Sequence, residues 1–214
     1  NSKQRLDLIK TYQTGIKTKE HNMKSIKRIK ENITEAEYKK LVYGVQGNDR
    51  LKEHTKQNLI RAFTLLYFTG LRLNEVQELT LCHIGELLEQ GSTKLVLSKT
   101  KSERKLYAGT AFKKALQKYF SLEGEPRRPV IAKGSNASES LHPISFIAQV
   151  NVVMKSVLGE GYTSHSFRQG LITEMGSKGA NVKIIAQFIG HSDVKTTMRY
   201  IKPTDDDVRG AMVR

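Results

Sequence analysis

The sequence predicts a mainly α-helical domain carrying one small antiparallel β-hairpin. Apolar residues recur at helical spacing through most of the 214-residue chain, and only two short segments, 93–97 and 104–108, lean towards strand. A composition of 38% hydrophobic and 27% charged residues is that of a folded globular chain.

Taken in order, residues 1–32 are rich in Lys, Asn and Thr and read as a basic N-terminal arm or linker remnant, with the folded domain over 33–214. Thr34 followed by Glu37 is a capping-box spacing. It opens a helix through Tyr38, Leu41 and Val42, with Gly44 and Gly47 punctuating its end. Leu59, Ile60, Phe63, Leu66 and Tyr67 define a helix over about 55–69, and Gly70 stands at its C′ position. Asn74 to Leu79 begins another helical turn or two. The segments TKLVL (93–97) and RKLYA (104–108), joined by a polar turn, form the hairpin. A helix over 110–120 follows, and 124–140 is the least structured part of the interior, rich in Gly, Pro and Ser. Pro143 starts a helix through 144–158, and shorter helices at 164–177, 182–189 and 193–201 are separated by Gly176, Gly179 and Gly190. There is no internal repeat.

Thirty-six Lys and Arg against 21 Asp and Glu leave a net charge of +15, so the expected partner is an anionic polymer, double-stranded DNA first. An anionic membrane surface fits less well: residues 17–30 offer only Met23, Ile26 and Ile29 as an apolar stripe. No apolar run approaches the roughly 18 residues that span a bilayer, and the start, Asn1-Ser2-Lys3-Gln4-Arg5, is not a secretory signal. The single Cys82 excludes an intramolecular disulfide and fits a reducing, cytoplasmic setting. A chain opening on Asn1 rather than Met reads as a piece of a longer protein.

Three segments carry candidate chemistry. In TGLRLNE (69–75), Arg72 follows a helix-ending glycine, where a guanidinium can point out of the core towards an anion, and Glu75 can fix its orientation. In HSFR (165–168), Thr163 or Ser164 as N-cap puts His165 and Arg168 in the first turn of a helix, on one face and beside an anion-attracting N-terminus. In the third, His191 follows Gly190, and Tyr200 lies about two turns into the next helix. Each residue alone is more simply a surface or core side chain. Together, two arginines, two histidines, a tyrosine and a lysine on a hairpin are what metal-free phosphoryl transfer at a DNA phosphodiester needs. Guanidinium forks stabilise charge on the non-bridging oxygens, a tyrosine forms a covalent ester, and a lysine or histidine protonates the leaving oxygen. A metal-dependent nuclease is disfavoured, because His165, His191 and Asp193 form no compact ligand set and Cys82-His83 lacks partners.

The order of these segments resembles the tyrosine recombinase (phage integrase) family, as in Xer recombinases and phage or transposon integrases, over about residues 34–203. TGLRLNEVQELT (69–80) looks like the first family box, LVLSKTKSER (95–104) like its β-hairpin, HSFR like the H-x-x-R box, and FIGHSDVKTTMRYI (188–201) like the box holding the nucleophile. The resemblance implies the tyrosine recombinase catalytic fold over 33–214, with the family's N-terminal DNA-clamping domain missing. It implies Tyr200 as nucleophile, forming a 3′-phosphotyrosyl link with neither metal nor ATP, and Arg72 and Arg168 on the non-bridging oxygens. Lys99 becomes the general acid, His165 the residue assisting proton removal from tyrosine, and His191 a hydrogen-bond partner of the phosphate. Lys101 and Arg104 become DNA contacts, with Glu75 in support. It implies no cofactor and a tetramer on two DNA sites. Three departures from the family stand out: Gln169 where a further histidine is common, Ser98 where glycine is common, which leaves Lys101 as an alternative acid, and only 14 residues after Tyr200. A catalytically silent DNA-binding module and a relaxing type IB topoisomerase are the competing readings; a silent site is disfavoured because all six candidate polar residues are present.

Overall fold

The computed structural model describes residues 31–98, 101–134, 138–191, 193–201, 205, 209, 210 and 212. The basic arm expected over 1–32 therefore lies outside the described residues except for Glu31 and Asn32.

Thr34 caps the first helix, α1 (Glu35–Gln46), through a box with Glu37, whose carboxylate accepts from the Thr34 N–H at 2.9 Å. The helix runs on through Gly44, where Val157 presses closest, and stops before Gly47. The centre of the fold is α2 (Glu53–Thr69), which buries Leu59, Ile60, Phe63, Leu65 and Leu66 among others. Phe63 stacks on Phe167 at 5.9 Å between ring centroids, Phe68 on Phe112 at 4.9 Å, and Tyr67 on Tyr38 at 4.4 Å. Phe63, Phe112 and Phe167 are buried, and each such ring contributes about 1.5–3 kcal/mol through removal from water. Through these rings α2 binds α1, α5 (Thr110–Tyr119) and α7 (Ser164–Ser177).

After α3 (Leu73–Gln77) comes α4 (Leu81–Glu89), a helix absent from the sequence reading. Thr80 caps it, with its N–H and the His83 ring 3.1 Å apart, and Leu81, Ile84 and Leu87 turn inward. The hairpin is β1 (Ser92–Val96) paired antiparallel with β2 (Glu103–Tyr107), Leu95 opposite Arg104. Alternation sends Thr93, Leu95, Arg104 and Leu106 inward. The stretch 124–140 forms no helix or strand among its described residues, yet Val130 and Ile131 are core, tied by the Val130 N–H to Leu79 O at 3.0 Å. Helix α6 (Pro143–Leu158) packs on α1.

Helices α7, α8 (Val182–Ile189) and α9 (Val194–Met198) close the fold. They enclose a second, smaller core of Ile172, Ile185 and Ile189, flanked by Leu171, Phe188, Tyr200 and Ile201. Helix α7 thus faces both cores, Phe167 in one and Ile172 in the other, and Arg168 lies next to Phe167. Gly170 lets the entering chain cross α7, since a Cβ there would sit 2.3 Å from the Ile33 carbonyl oxygen. Among the described residues, no helix is long and apolar enough to cross a membrane.

Candidate active site

The site forms where the end of α2, the hairpin and helices α7–α9 meet. Gly70 ends α2 in the left-handed conformation (φ 58°). A Cβ at that position would lie 2.8 Å from Ile189 Cδ1 and 3.1 Å from Leu171 Cδ2, so only glycine lets α2 approach α7 and α8 this closely. The Gly70 carbonyl accepts a 2.9 Å bond from Arg168 Nη1. Arg168 sits one residue beyond the first turn of α7, where the sequence reading had placed it inside that turn, and is 1% exposed. Burial, then the charges of Arg104 and Arg72, push its pKa down to about 9; it stays charged at neutral pH. Its Nε donates to His191 Nε2 at 3.3 Å, and its Nη2 is buried with no hydrogen-bond partner among the described residues.

His191 is engaged at both ring nitrogens, the second by Thr197 Oγ1 at 2.8 Å. Burial and the nearby guanidinium groups, Arg168 first, push its pKa down to about 4. The ring is therefore neutral, with Nε2 as acceptor and the proton assigned to Nδ1 by this network. It holds Arg168 rather than standing free for a phosphate. Thr197 is fully buried, and its carbonyl accepts from the Tyr200 N–H at 3.0 Å. Tyr200 does not lie inside a helix as expected: α9 ends at Met198, and this tight i to i+3 bond carries the tyrosine in the turn that follows. The Tyr200 hydroxyl lies 3.2 Å from His165 Nε2.

Arg72 is the N-cap residue of α3, with about half of its side chain exposed. Glu75, nearly buried, accepts from the Arg72 N–H at 2.8 Å and pairs with Arg72 Nη1 at 2.7 Å. The same carboxylate takes Arg104 Nη1 at 2.8 Å. Arg104 is the clear correction to the sequence reading. Its side chain is 4% exposed, and it also donates to Thr69 O at 2.7 Å and Phe188 O at 3.3 Å, so each of its three nitrogens is bonded inside the protein rather than presented at the surface to DNA. The strand alternation that pairs Arg104 with Leu106 on the inward side was the available signal. Lys101 is exposed, in the left-handed region (φ 54°), its N–H closing the hairpin turn on Leu97 O at 2.8 Å. Lys99 lies outside the described residues.

The sequence reading missed Thr197 and Glu78. Thr197 precedes Tyr200 by three residues, the spacing at which a helical turn brings two residues together. Glu78 accepts from Ser98, from its N–H at 2.7 Å and its hydroxyl at 3.0 Å. Among the described residues, no group of three or more His, Cys, Asp or Glu side chains could hold a metal ion.

A family model described as the phage integrase family matches residues 31–207. A tyrosine recombinase of Thermosipho africanus is 24% identical over 182 residues, covering 85% of this chain and 60% of its own. The tyrosine recombinase XerD of Halalkalibacterium halodurans is 27% identical over 194 residues, covering 87% and 62%. The chain thus spans about three fifths of the length of these relatives. The crystal structure of XerA recombinase matches with a TM-score of 0.62 at 18% identity, over 84% of this chain and 63% of that one. The Tn1549 transposon integrase in complex with transposon right end DNA matches with a TM-score of 0.62 at 20% identity, over 86% and 65%. At these identities the solved structures share the fold, that of a mainly helical recombinase catalytic domain with a small antiparallel sheet.

Proposed function

Because the chain belongs to the phage integrase family, we propose that it is a site-specific DNA recombinase working through a 3′-phosphotyrosyl intermediate at Tyr200. The observation that carries the reading is one connected series of contacts. It runs from a buried guanidinium with an unpartnered Nη2 (Arg168), through His191 and Thr197, to a tyrosine whose hydroxyl is 3.2 Å from His165. A tyrosine, a base and a guanidinium with donor capacity to spare are the parts of an in-line attack on a phosphodiester.

In this mechanism the Tyr200 oxygen attacks the scissile phosphorus while His165 takes the phenolic proton. Arg72, half exposed, and the free Nη2 of Arg168 hold the non-bridging oxygens. The bond to the 5′ oxygen breaks, and Lys99 gives that oxygen a proton. Attack by the 5′-hydroxyl of another strand reverses each step and releases Tyr200. The phosphotyrosine conserves the bond energy, so the cycle consumes neither ATP nor a metal-bound nucleophile. His191 acts here by orienting Arg168.

Double-stranded DNA as substrate is supported by the +15 charge and by the DNA bound to the transposon integrase that shares the fold. A tetramer on two DNA sites and a cytoplasmic, DNA-associated setting complete the proposal, the latter in keeping with a single cysteine.

The test is a library of nicked duplexes with a randomised core, incubated with the protein in EDTA. The wild type should form a denaturant-resistant protein–DNA adduct that can be recovered and sequenced. Tyr200→Phe should lose the adduct and keep binding the recovered duplex. An adduct that survives Tyr200→Phe, or none from the wild type, would overturn the assignment, and the second result would favour a silent DNA-binding module.

A further inference from the structure

We infer that Glu78 is a positioning residue for protonation of the leaving oxygen, because its carboxylate grips Ser98, the residue directly before Lys99, through both its N–H (2.7 Å) and its hydroxyl (3.0 Å). The inference rests on the proposal that a hairpin lysine is the general acid.

An isolated two-stranded hairpin is marginal in water, and this one ends in a turn whose described residues Ser98, Lys101 and Ser102 are exposed, with Val96 58% exposed beside it. The turn is closed by its own backbone, Leu97 N–H to Ser102 O at 3.0 Å and Lys101 N–H to Leu97 O at 2.8 Å. Those bonds tie the turn's described residues to one another. They do not fix where it points relative to the phosphate clamp, and that takes ties to the body of the protein. Several exist among the described residues: Thr93 in β1 bonds Glu86, Arg104 in β2 bonds Thr69 O and Phe188 O, and two more ties end on carboxylates of the same short stretch. Arg104 in β2 reaches Glu75 at 2.8 Å, and Ser98 after β1 reaches Glu78.

Residues 72, 75 and 78 follow one another at steps of three, so they line one side of the α3 segment. The first is the clamp arginine, the second orients it and holds one strand, and the third holds the other strand. The clamp and the acid-bearing turn are thereby located from one helical frame. Bonds to an ionised acceptor are about twice as strong as neutral ones, and two on one residue fix its direction as well as its place. The hydroxyl half of the latch exists because this chain carries serine at position 98.

The predicted defect is specific to one chemical step. Cleavage of a duplex with a normal 5′ oxygen should slow about tenfold in Glu78→Gln, a part of the roughly 10²–10⁴-fold that proton transfer contributes. Cleavage of the same duplex with a 5′-bridging sulfur, which leaves without a proton, should match the wild type. Ser98→Gly, lacking the hydroxyl but keeping the N–H, should show a smaller defect with the same rescue. Adding Glu78→Gln to Lys99→Ala should slow cleavage no further than Lys99→Ala alone. Equal slowing on both substrates, or no slowing, would overturn the inference.

If Lys101→Ala rather than Lys99→Ala is the variant that sulfur rescues, the identity of the acid changes, while rescue of Glu78→Gln still supports the latch. Amide exchange gives a readout free of activity. Exchange across 97–102 should quicken in Glu78→Gln while that of α2 stays fixed, and unchanged exchange at the turn would sink the latch even in a protein that forms no adduct.

Discussion

Replacing Glu75 with glutamine separates the two duties of that carboxylate. The wild-type side chain, 7% exposed, satisfies Arg104 Nη1 at 2.8 Å and Arg72 Nη1 at 2.7 Å with its two oxygens, and the Arg72 N–H besides. Glutamine keeps one oxygen and presents an amide donor to whichever guanidinium faces the other side. Arg104 cannot escape to solvent, being 4% exposed and held by Thr69 O and Phe188 O. Removing the partner of a buried charge costs about 3–5 kcal/mol. For a domain of this size each kcal/mol moves the melting midpoint by roughly 2–4 °C, so the expected drop is about 6–20 °C. Calorimetry or circular dichroism measures it. Glu35→Gln is the matched control, because its ion pair with Lys39 has 67% and 60% exposed side chains and a solvent-screened surface pair contributes little. The double variant Glu75→Leu with Arg104→Met should recover stability over Glu75→Gln, since no unpaired charge is then left inside. A Glu75→Gln midpoint within about 2 °C of the wild type, less than 1 kcal/mol on this scale, would refute the reasoning.

Gly70→Ala should cost about 1–2 kcal/mol for the left-handed backbone and about 1–3 more for a methyl placed 2.8 Å from Ile189 Cδ1. Urea unfolding reads the sum, and a loss under about 1 kcal/mol, below either contribution alone, would contradict the packing described. His191 titrates near its ordinary 6.5 when unfolded and near 4 when folded, so its contribution to stability is complete above 6.5 and is lost as pH falls towards 4. His191→Asn should therefore lose less stability than the wild type between pH 7 and pH 4, and parallel pH–stability curves for the two proteins would refute the neutral, accepting ring.

Much of this architecture is legible from periodicity because the cores are ordinary ones. Leu59, Phe63 and Leu66 repeat as a buried helix face must, and Gly70 stops the helix for a reason visible in one residue. Helix α4 escaped because Gly85 and the polar pair Cys82-His83 break up a short segment, although Thr80 and the Leu81, Ile84, Leu87 spacing signal it. The site shows the same division. The residues in the family's boxes are readable because their order along the chain is distinctive. What each one touches is not, because the side chains of Arg104, Thr197 and Glu78 act through partners between 6 and 84 residues away. Arg104 misled because arginine in a chain of +15 suggests DNA contact, while the alternation of its strand already directed it inward.

The electrostatics of the cluster explain why such partners are needed. Arg72, Arg104 and Arg168 lie close enough that the charges of the other two weigh on Arg168, and Glu75 is the carboxylate that opposes them. The free protein therefore holds unbalanced positive charge in a partly dehydrated place, where each interaction is stronger than in water. An arrangement like that would spread apart unless it were fixed, and the fixing is done by neutral acceptors: Gly70 O for Arg168, Thr69 O and Phe188 O for Arg104, and the His191 ring for the Arg168 Nε. Neutral acceptors satisfy the donors without cancelling the field, which leaves the field available to an anion. A second carboxylate in their place would stabilise the free protein and weaken its hold on a phosphate. Dipoles set in advance around an uncompensated charge are how a site stabilises negative charge that appears only during reaction. On the proposed mechanism that charge is the one spread over the non-bridging oxygens as the Tyr200 oxygen closes on phosphorus.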